Sequence, residues 1–268
     1  MTEENFSEKD FRRTVRRKTL KSFAWFFLFI CLALLAWNWL HRQPKDAGAL
    51  KPLRAALEAN EKIFSGVFSD ARPEPTYHRT SAVSRVKVNG NYGMKSELDT
   101  ASWKLLVVRN ADVSLLADTL KITLDEIKKL PKTEVIFNFK CIEGWSQVTW
   151  WAGVKFSDFA EHFHLGTKSG NAPDKNKDDD MFKYAGLRTP DGEYYVGIDM
   201  PGMMHPQTIL CYEMNGKPLP INQGAPLRLI IPVKYGIKHL KRIGTLFFSD
   251  SRPPDFWYER GYDYYAGL

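Results

Sequence analysis

One uncharged run stands apart from an otherwise mixed chain: SFAWFFLFICLALLAWNWL, residues 22–40. As a helix it is about 28 Å long, close to the thickness of a bilayer's hydrocarbon core. Trp25, Trp37 and Trp39 lie near its ends, where indoles favour the membrane interface. The pattern predicts a transmembrane helix. Residues 50–64 then place apolar side chains at 50, 53, 57 and 64, which predicts a short amphipathic helix. Residues 70–80 are Pro-rich and read as an extended linker. From 81 the apolar positions come in short strand-like runs: 83–88, 103–108, 135–139, 184–188, 194–198, 208–213 and 227–233. A helix is expected at 123–130, capped by Thr123 and stopped by Pro131. Another is expected at 156–163, with Phe156, Phe159 and Phe163 on one face. Asn215-Gly216 marks a hairpin, and the polar stretch 166–180 a mobile surface loop. With no internal repeat, this mixture predicts an α+β domain over 81–268. It follows a basic segment (1–21), the transmembrane run (22–40) and a juxtamembrane helix with linker (41–80).

Composition supports a packed core: 44% of the 268 residues are hydrophobic and 26% charged. The net charge of +7 is unevenly placed. Seven Lys/Arg against four Asp/Glu in the first 21 residues give +3 there, leaving +4 spread over the rest. No basic stripe with interleaved aromatics is present, which argues against nucleic-acid binding. The basic flank puts the N-terminus in the cytoplasm and residues beyond about 41 outside. Ala47-Gly48-Ala49 has the small residues of a peptidase site, but it lies well past the apolar run, so a retained anchor is expected. Three cysteines, one inside the apolar run, make no disulfide framework.

Two stretches carry candidate chemistry. Cys141, at the end of the run 133–139, is either a soft metal ligand held on a strand rim or a buried small hydrophobe. The block 209–241 places Gln223, Gly224 and Arg228 before a strand, and gathers Lys234, Lys238, His239 and Lys241 around Gly236. A glycine turn flanked by cations is a phosphate cradle or a solvated basic loop, and spacing alone favours the loop. Glu161, His162 and His164 lie too close in sequence to share one helix face as metal ligands. Cys211 reads as core, Cys31 as membrane, Asp178 to Asp180 as solvated, and His205 as a loop histidine with a structural hydrogen bond.

Taken together, Cys141-x-Glu143-x-Trp145-Ser146 with Trp151 and Gly153, and 212–220 (YEMNGKPLP) with Gly224-x-Pro226-Leu227-Arg228, resemble the molybdenum-cofactor domain of the sulfite oxidase superfamily. The likeness spans 83–268 and implies a mixed-sheet, molybdopterin-binding α+β fold. Met204-His205-Pro206 and Arg252-Pro253-Pro254 point to its branch of bacterial periplasmic molybdenum-type methionine sulfoxide reductases, catalytic subunit. The resemblance implies a molybdenum-molybdopterin cofactor with Cys141 as the metal's protein ligand and catalytic residue. It also implies cofactor contacts at Asn89, Tyr92, Gly93, Thr189, Gln223, Arg228, His239, Leu240 and Lys241. The relatives use a membrane haem-type electron-transfer partner. The implied reaction is oxygen-atom transfer at sulfur, with reduction of methionine sulfoxide or another S-oxide expected first. Glu143 and Trp145, where sulfite oxidases add arginines, argue against sulfite, and the rim Trp145, Trp150, Trp151 and Trp257 suits a neutral sulfur compound. The rivals are a dehydrogenase of sulfite or another small sulfur compound, and a membrane-tethered non-catalytic binding protein. Residues 15–21 (VRRKTLK) also resemble a twin-arginine export signal, with Thr19 where an aromatic is usual. The implied location is the bacterial inner membrane, single pass, with the catalytic domain on the periplasmic side.

Overall fold

The computed structural model describes residues 8–67, 72–112, 119–174 and 178–267. Its elements run α1 (Glu8–His41), β1 (Lys45–Asp46), β2 (Ala49–Leu50), α2 (Lys51–Val67), β3 (Lys104–Val108), β4 (Thr119–Thr123), α3 (Leu124–Lys128), β5 (Lys132–Lys140), β6 (Ser146–Lys155), α4 (Phe156–Phe163), β7 (Tyr184–Arg188), β8 (Tyr195–Asp199), α5 (Met200–Met203), β9 (Ile209–Met214), β10 (Lys217–Pro218), β11 (Arg228–Ile230) and β12 (Thr245–Ser249).

Among the described residues there are two five-stranded sheets and a two-stranded ribbon. One sheet is ordered β4-β3-β12-β7-β8, with β12 parallel to β3 and the other pairs antiparallel. The other is ordered β10-β9-β6-β5, with β11 joining β9. This is the mixed-sheet α+β architecture expected. β9 of the second sheet is buried on both faces, and strand alternation sorts its residues. Leu210 and Tyr212 join the large core with Leu105, Leu187 and Phe248. Their neighbours Ile209 and Cys211 face a smaller cluster with Val135, Phe137 and Trp151. Gly153 sits at the β6–β9 register shift, where a Cβ would lie 2.0 Å from the Leu210 carbonyl oxygen.

Local expectations hold at several elements. Thr123 and Glu126 close a capping box at α3, a device worth about 1 kcal/mol. Phe156, Phe159 and Ala160 of α4 are buried. Asn215 and Gly216 both take positive φ, the geometry of the tight hairpin turn joining β9 to β10. Cys211 is core, its thiol pushed up to about 12 by burial. His205 accepts a hydrogen bond from the Gln207 amide.

Two expectations change and a third gains detail. Residues 83–88 form no strand: Val83 donates to Val148 O, but Lys87 N–H goes to the Gln147 side chain and Val86 O to that of Gln223. Their backbone is satisfied by side chains, so no ladder forms. The Pro-rich segment is not a free tether. Thr76 bridges Phe137, and Glu74 and Gln207 exchange hydrogen bonds of 2.8 Å. Residues 70 and 71 of that stretch lie outside the described residues. The loop 166–180 is closed on itself through Ser169–Asp180 and a Thr167–Met181 bridge, with 175–177 outside the described residues. The basic flank and the apolar run form one continuous helix, α1, none of whose residues is buried. It is long and apolar enough to cross a membrane.

Candidate functional site

The parity of β5 decides which side chains meet. Val135, Phe137 and Phe139 share a face, and Cys141, the first residue after the strand, continues the series. Cys141 N–H donates to Trp145 O (2.9 Å) and Gly144 N–H donates back to Cys141 O (3.0 Å). Gly144 closes this turn at φ +86°, a conformation glycine adopts without a Cβ penalty. The turn fixes the cysteine backbone and leaves its side chain buried in the wall of a pocket. Phe139 and Cys141 line that pocket with Gln147, Thr149 and Trp151 of β6. The register sets Phe139 opposite Gln147 and Phe137 opposite Thr149. The pocket measures about 960 Å³, its open mouth included.

Irregular chain supplies the other walls. Asn89 Nδ2 donates to Glu143 Oε2 (3.2 Å) and lies 3.5 Å from Cys141 Sγ. Trp145 Nε1 donates to the same Glu143 oxygen (3.1 Å). These bonds, that of Trp145 foremost, hold the Glu143 carboxyl below its usual range, so an anion stands at the mouth beside the thiol.

Two cations face inward. Arg228 is fully buried, stacked 4.5 Å over Trp151, and donates from Nη1 to Gln223 O (2.9 Å) and Gln223 Oε1 (3.1 Å). Its Nε has no partner. Lys241 donates to the carbonyls of Asn89 and Gly90. Burial lowers Arg228 to about 10; burial and then Arg228 lower Lys241 to about 8. The partners of both cations are carbonyl and amide oxygens, not carboxylates. A buried charge without a counterion is costly, so the pocket is built for an anion.

Of the expected contacts, Cys141, Asn89, Tyr92, Gln223, Arg228, His239 and Lys241 line this one pocket. Gly93, Thr189 and Leu240 stand behind it. A Cβ on Gly93 would lie 2.3 Å from Thr189 Cγ2, so the glycine lets the 89–93 loop seat on Thr189. Leu240 is core. His239 presents only its ring: Nδ1 accepts from Ile231 N–H (3.4 Å) and Nε2 donates to Lys234 O (3.1 Å). Burial lowers its pKa to about 3, so it is neutral. The expected cluster around Gly236 is only half realised. Lys234 pairs with Asp199 (2.6 Å) and Lys238 with Asp255 (2.5 Å), both drawn away by internal carboxylates. Trp150 also leaves the rim; its position, one residue before Trp151, turns it to the opposite face beneath Arg79. Thr149, not expected from the sequence, also lines the pocket, and its β6 parity with Trp151 is a usable signal. Tyr194 and Tyr262 had none.

The donor set is one soft thiol and two uncompensated cations in one aromatic cavity. Among the described residues no group of three or more His, Cys, Asp or Glu could hold a metal by itself. Residues 91–257, well over half of the chain, match the oxidoreductase molybdopterin binding domain. The chain belongs to that family. It is a molybdopterin oxidoreductase, and its cofactor is molybdenum-molybdopterin. The site fits that group: a thiol for the metal, and the orphaned Arg228 Nε with Lys241 for a phosphate. Relatives within the molybdopterin family include a protein of Azospira oryzae provisionally named protein-methionine-sulfoxide reductase subunit YedZ1, 31% identical over 83% of this chain and 78% of its own. The protein-methionine-sulfoxide reductase catalytic subunit MsrP of Xanthomonas axonopodis pv. citri is 34% identical over 52% of this chain and 44% of its own. MsrP of Campylobacter jejuni is 30% identical over 65% and 59%. The chain thus spans about half the length of the two MsrP relatives.

Proposed function

We propose that this oxidoreductase is membrane-anchored and reduces S-oxides, methionine sulfoxide first, with Cys141 as the molybdenum ligand. The balance is sulfoxide plus two electrons and two protons giving thioether and water. The observation that carries the reading is the convergence of Cys141, Arg228 and Lys241 on one pocket from distant parts of the chain. When bound, the cofactor supplies the two-electron exchange at the S–O bond. The chain's own residues bind, orient and select. Arg228 and Lys241 take the anionic end, with Gln223 aiming the Arg228 fork. Asn89 lies against the Cys141 sulfur and ties it to Glu143. The Glu143 carboxylate disfavours a sulfite dianion at the mouth, and Trp145, Trp257 and Tyr262 offer faces for an uncharged sulfur group. Electrons arrive from a membrane haem-type partner, near which α1 holds the enzyme. The basic flank of α1 lies in the cytoplasm, and the pocket on the periplasmic side after twin-arginine export.

The test is purification from a cofactor-competent host, metal analysis, Mo(V) paramagnetic resonance and a substrate panel. Near one molybdenum per chain, with turnover of sulfoxides and loss of both in Cys141→Ser, is the expected result. Sulfite oxidation linked to ferricyanide without sulfoxide reduction would decide for the dehydrogenase. No metal in a well-folded protein would leave the binding-protein reading.

A further inference from the structure

The segment that follows the membrane helix is fastened to the aromatic wall of the pocket. Arg54 of α2 is 2% exposed. Its guanidinium donates to the carbonyls of Tyr262 (2.8 Å), Ala47 (2.8 Å) and Tyr258 (2.9 Å), and lies 4.1 Å over the Tyr258 ring. Three carbonyls, two of them more than 200 positions away, thus share one cation. Gly48, in the turn between β1 and β2, packs so closely that a Cβ would lie 2.6 Å from Glu259 O. On the next inward turns of α2, Glu61 pairs with Arg252 at 2.6 Å.

What is held there matters. Trp257 and Tyr262 line the pocket and pack on each other, centroids 5.1 Å apart. Tyr92, on the loop that carries Asn89, packs on Phe256 (4.7 Å) and Trp257 (6.2 Å). The chain of contact runs from the membrane helix through the β1–β2 ribbon and Arg54 to Tyr262, Trp257, Tyr92 and the loop that touches Cys141.

We propose that the juxtamembrane unit braces the pocket from behind, with Arg54 a positioning residue that sets its Trp257–Tyr262 wall. Cofactor retention and substrate KM then depend on a residue beside the anchor. The inference rests on this pocket being the cofactor site. It also makes Ala47-Gly48-Ala49 a structural turn: cutting there would unseat Gly48 and free a carbonyl that Arg54 holds.

The test uses the full chain in detergent, as wild type, Arg54→Gln, Arg54→Lys and Cys141→Ser, read by amide exchange, retained molybdenum and steady-state kinetics. Hydrogen bonds to a charged group are worth enough that Arg54→Gln should speed exchange at 256–262 about tenfold or more. It should also lower retained molybdenum and raise KM more than it lowers kcat. Arg54→Lys, with three donors, should restore part of each. Cys141→Ser should lose molybdenum with a smaller rise in exchange at 256–262 than Arg54→Gln gives, since its ties to the wall stay intact. If Arg54→Gln does not fold, Glu61→Gln removes only the outer tie and should give the same changes at smaller amplitude. Unchanged exchange at 256–262 in whichever of these variants folds overturns the proposal, as does a uniform rise across the chain without Lys rescue. Wild type without molybdenum, beside a loosened wall in Arg54→Gln, would sink the cofactor reading while supporting Arg54's role.

Discussion

In the proposed reading, three side chains at the site divide ligand, charge and turn among them. Cys141 is set by a turn and not by its thiol, so Cys141→Ser should leave the thermal midpoint of the cofactor-free chain nearly unchanged. Its turnover should fall at least about 100-fold, since disturbing even outer-shell partners of a metal costs up to that much. Glu143→Gln keeps an acceptor for Trp145 and Asn89 but removes the charge. Inhibition by sulfite should strengthen severalfold relative to wild type while the sulfoxide KM moves little; equal shifts in both would refute a charge role. His239 makes its contribution as a neutral ring tying the 234–241 turn. Its folded pKa, about 3, lies below the unfolded value near 6.5, so the unfolded state binds the proton first. Its stabilising contribution is complete above about 6.5 and is lost as pH falls from there toward 3. Thermal midpoints at pH 7, 5 and 4 should therefore fall more steeply in wild type than in His239→Asn.

The elements show where pattern was sufficient. α3 and α4 were legible because their apolar residues follow the helical period, and α3 and β9 because their ends carry Thr123, Pro131 or Asn215-Gly216. Residues 83–88 look like a strand for a physical reason: a short run with Val83, Val86 and Val88 reads the same whether the backbone pairs with a strand or with the side chains of Gln147 and Gln223. β6 is hard to read as a strand from its sequence because its second half, Trp151 to Val154, is buried on both faces and shows no alternation. Its dependence on close backbone approach makes Gly153→Ala a sharp test. Overpacking of this kind costs on the order of 1–3 kcal/mol, which should lower the thermal midpoint by about 2–12 °C. A midpoint unchanged within error would mean that β6 and β9 can separate without cost.

At the scale of the molecule, one helix and one pocket define the arrangement. The full chain should sediment with membranes, resist an alkaline wash and require detergent for release; a soluble chain after that wash would remove the anchor. The sequence alone determined an apolar run long enough to span a membrane, the α+β class and the two motifs whose resemblance named a cofactor, because hydrophobic period and short motifs are local. Only the tertiary structure decided which cations serve the pocket. Lys234 and Lys238 share a turn with Lys241, yet Asp199 and Asp255 claim them, and no spacing in the chain announces carboxylates so far removed. The same holds for Arg54. Its three carbonyl partners come from two ends of the polypeptide, so its bond to the pocket wall exists only once the chain has closed on itself.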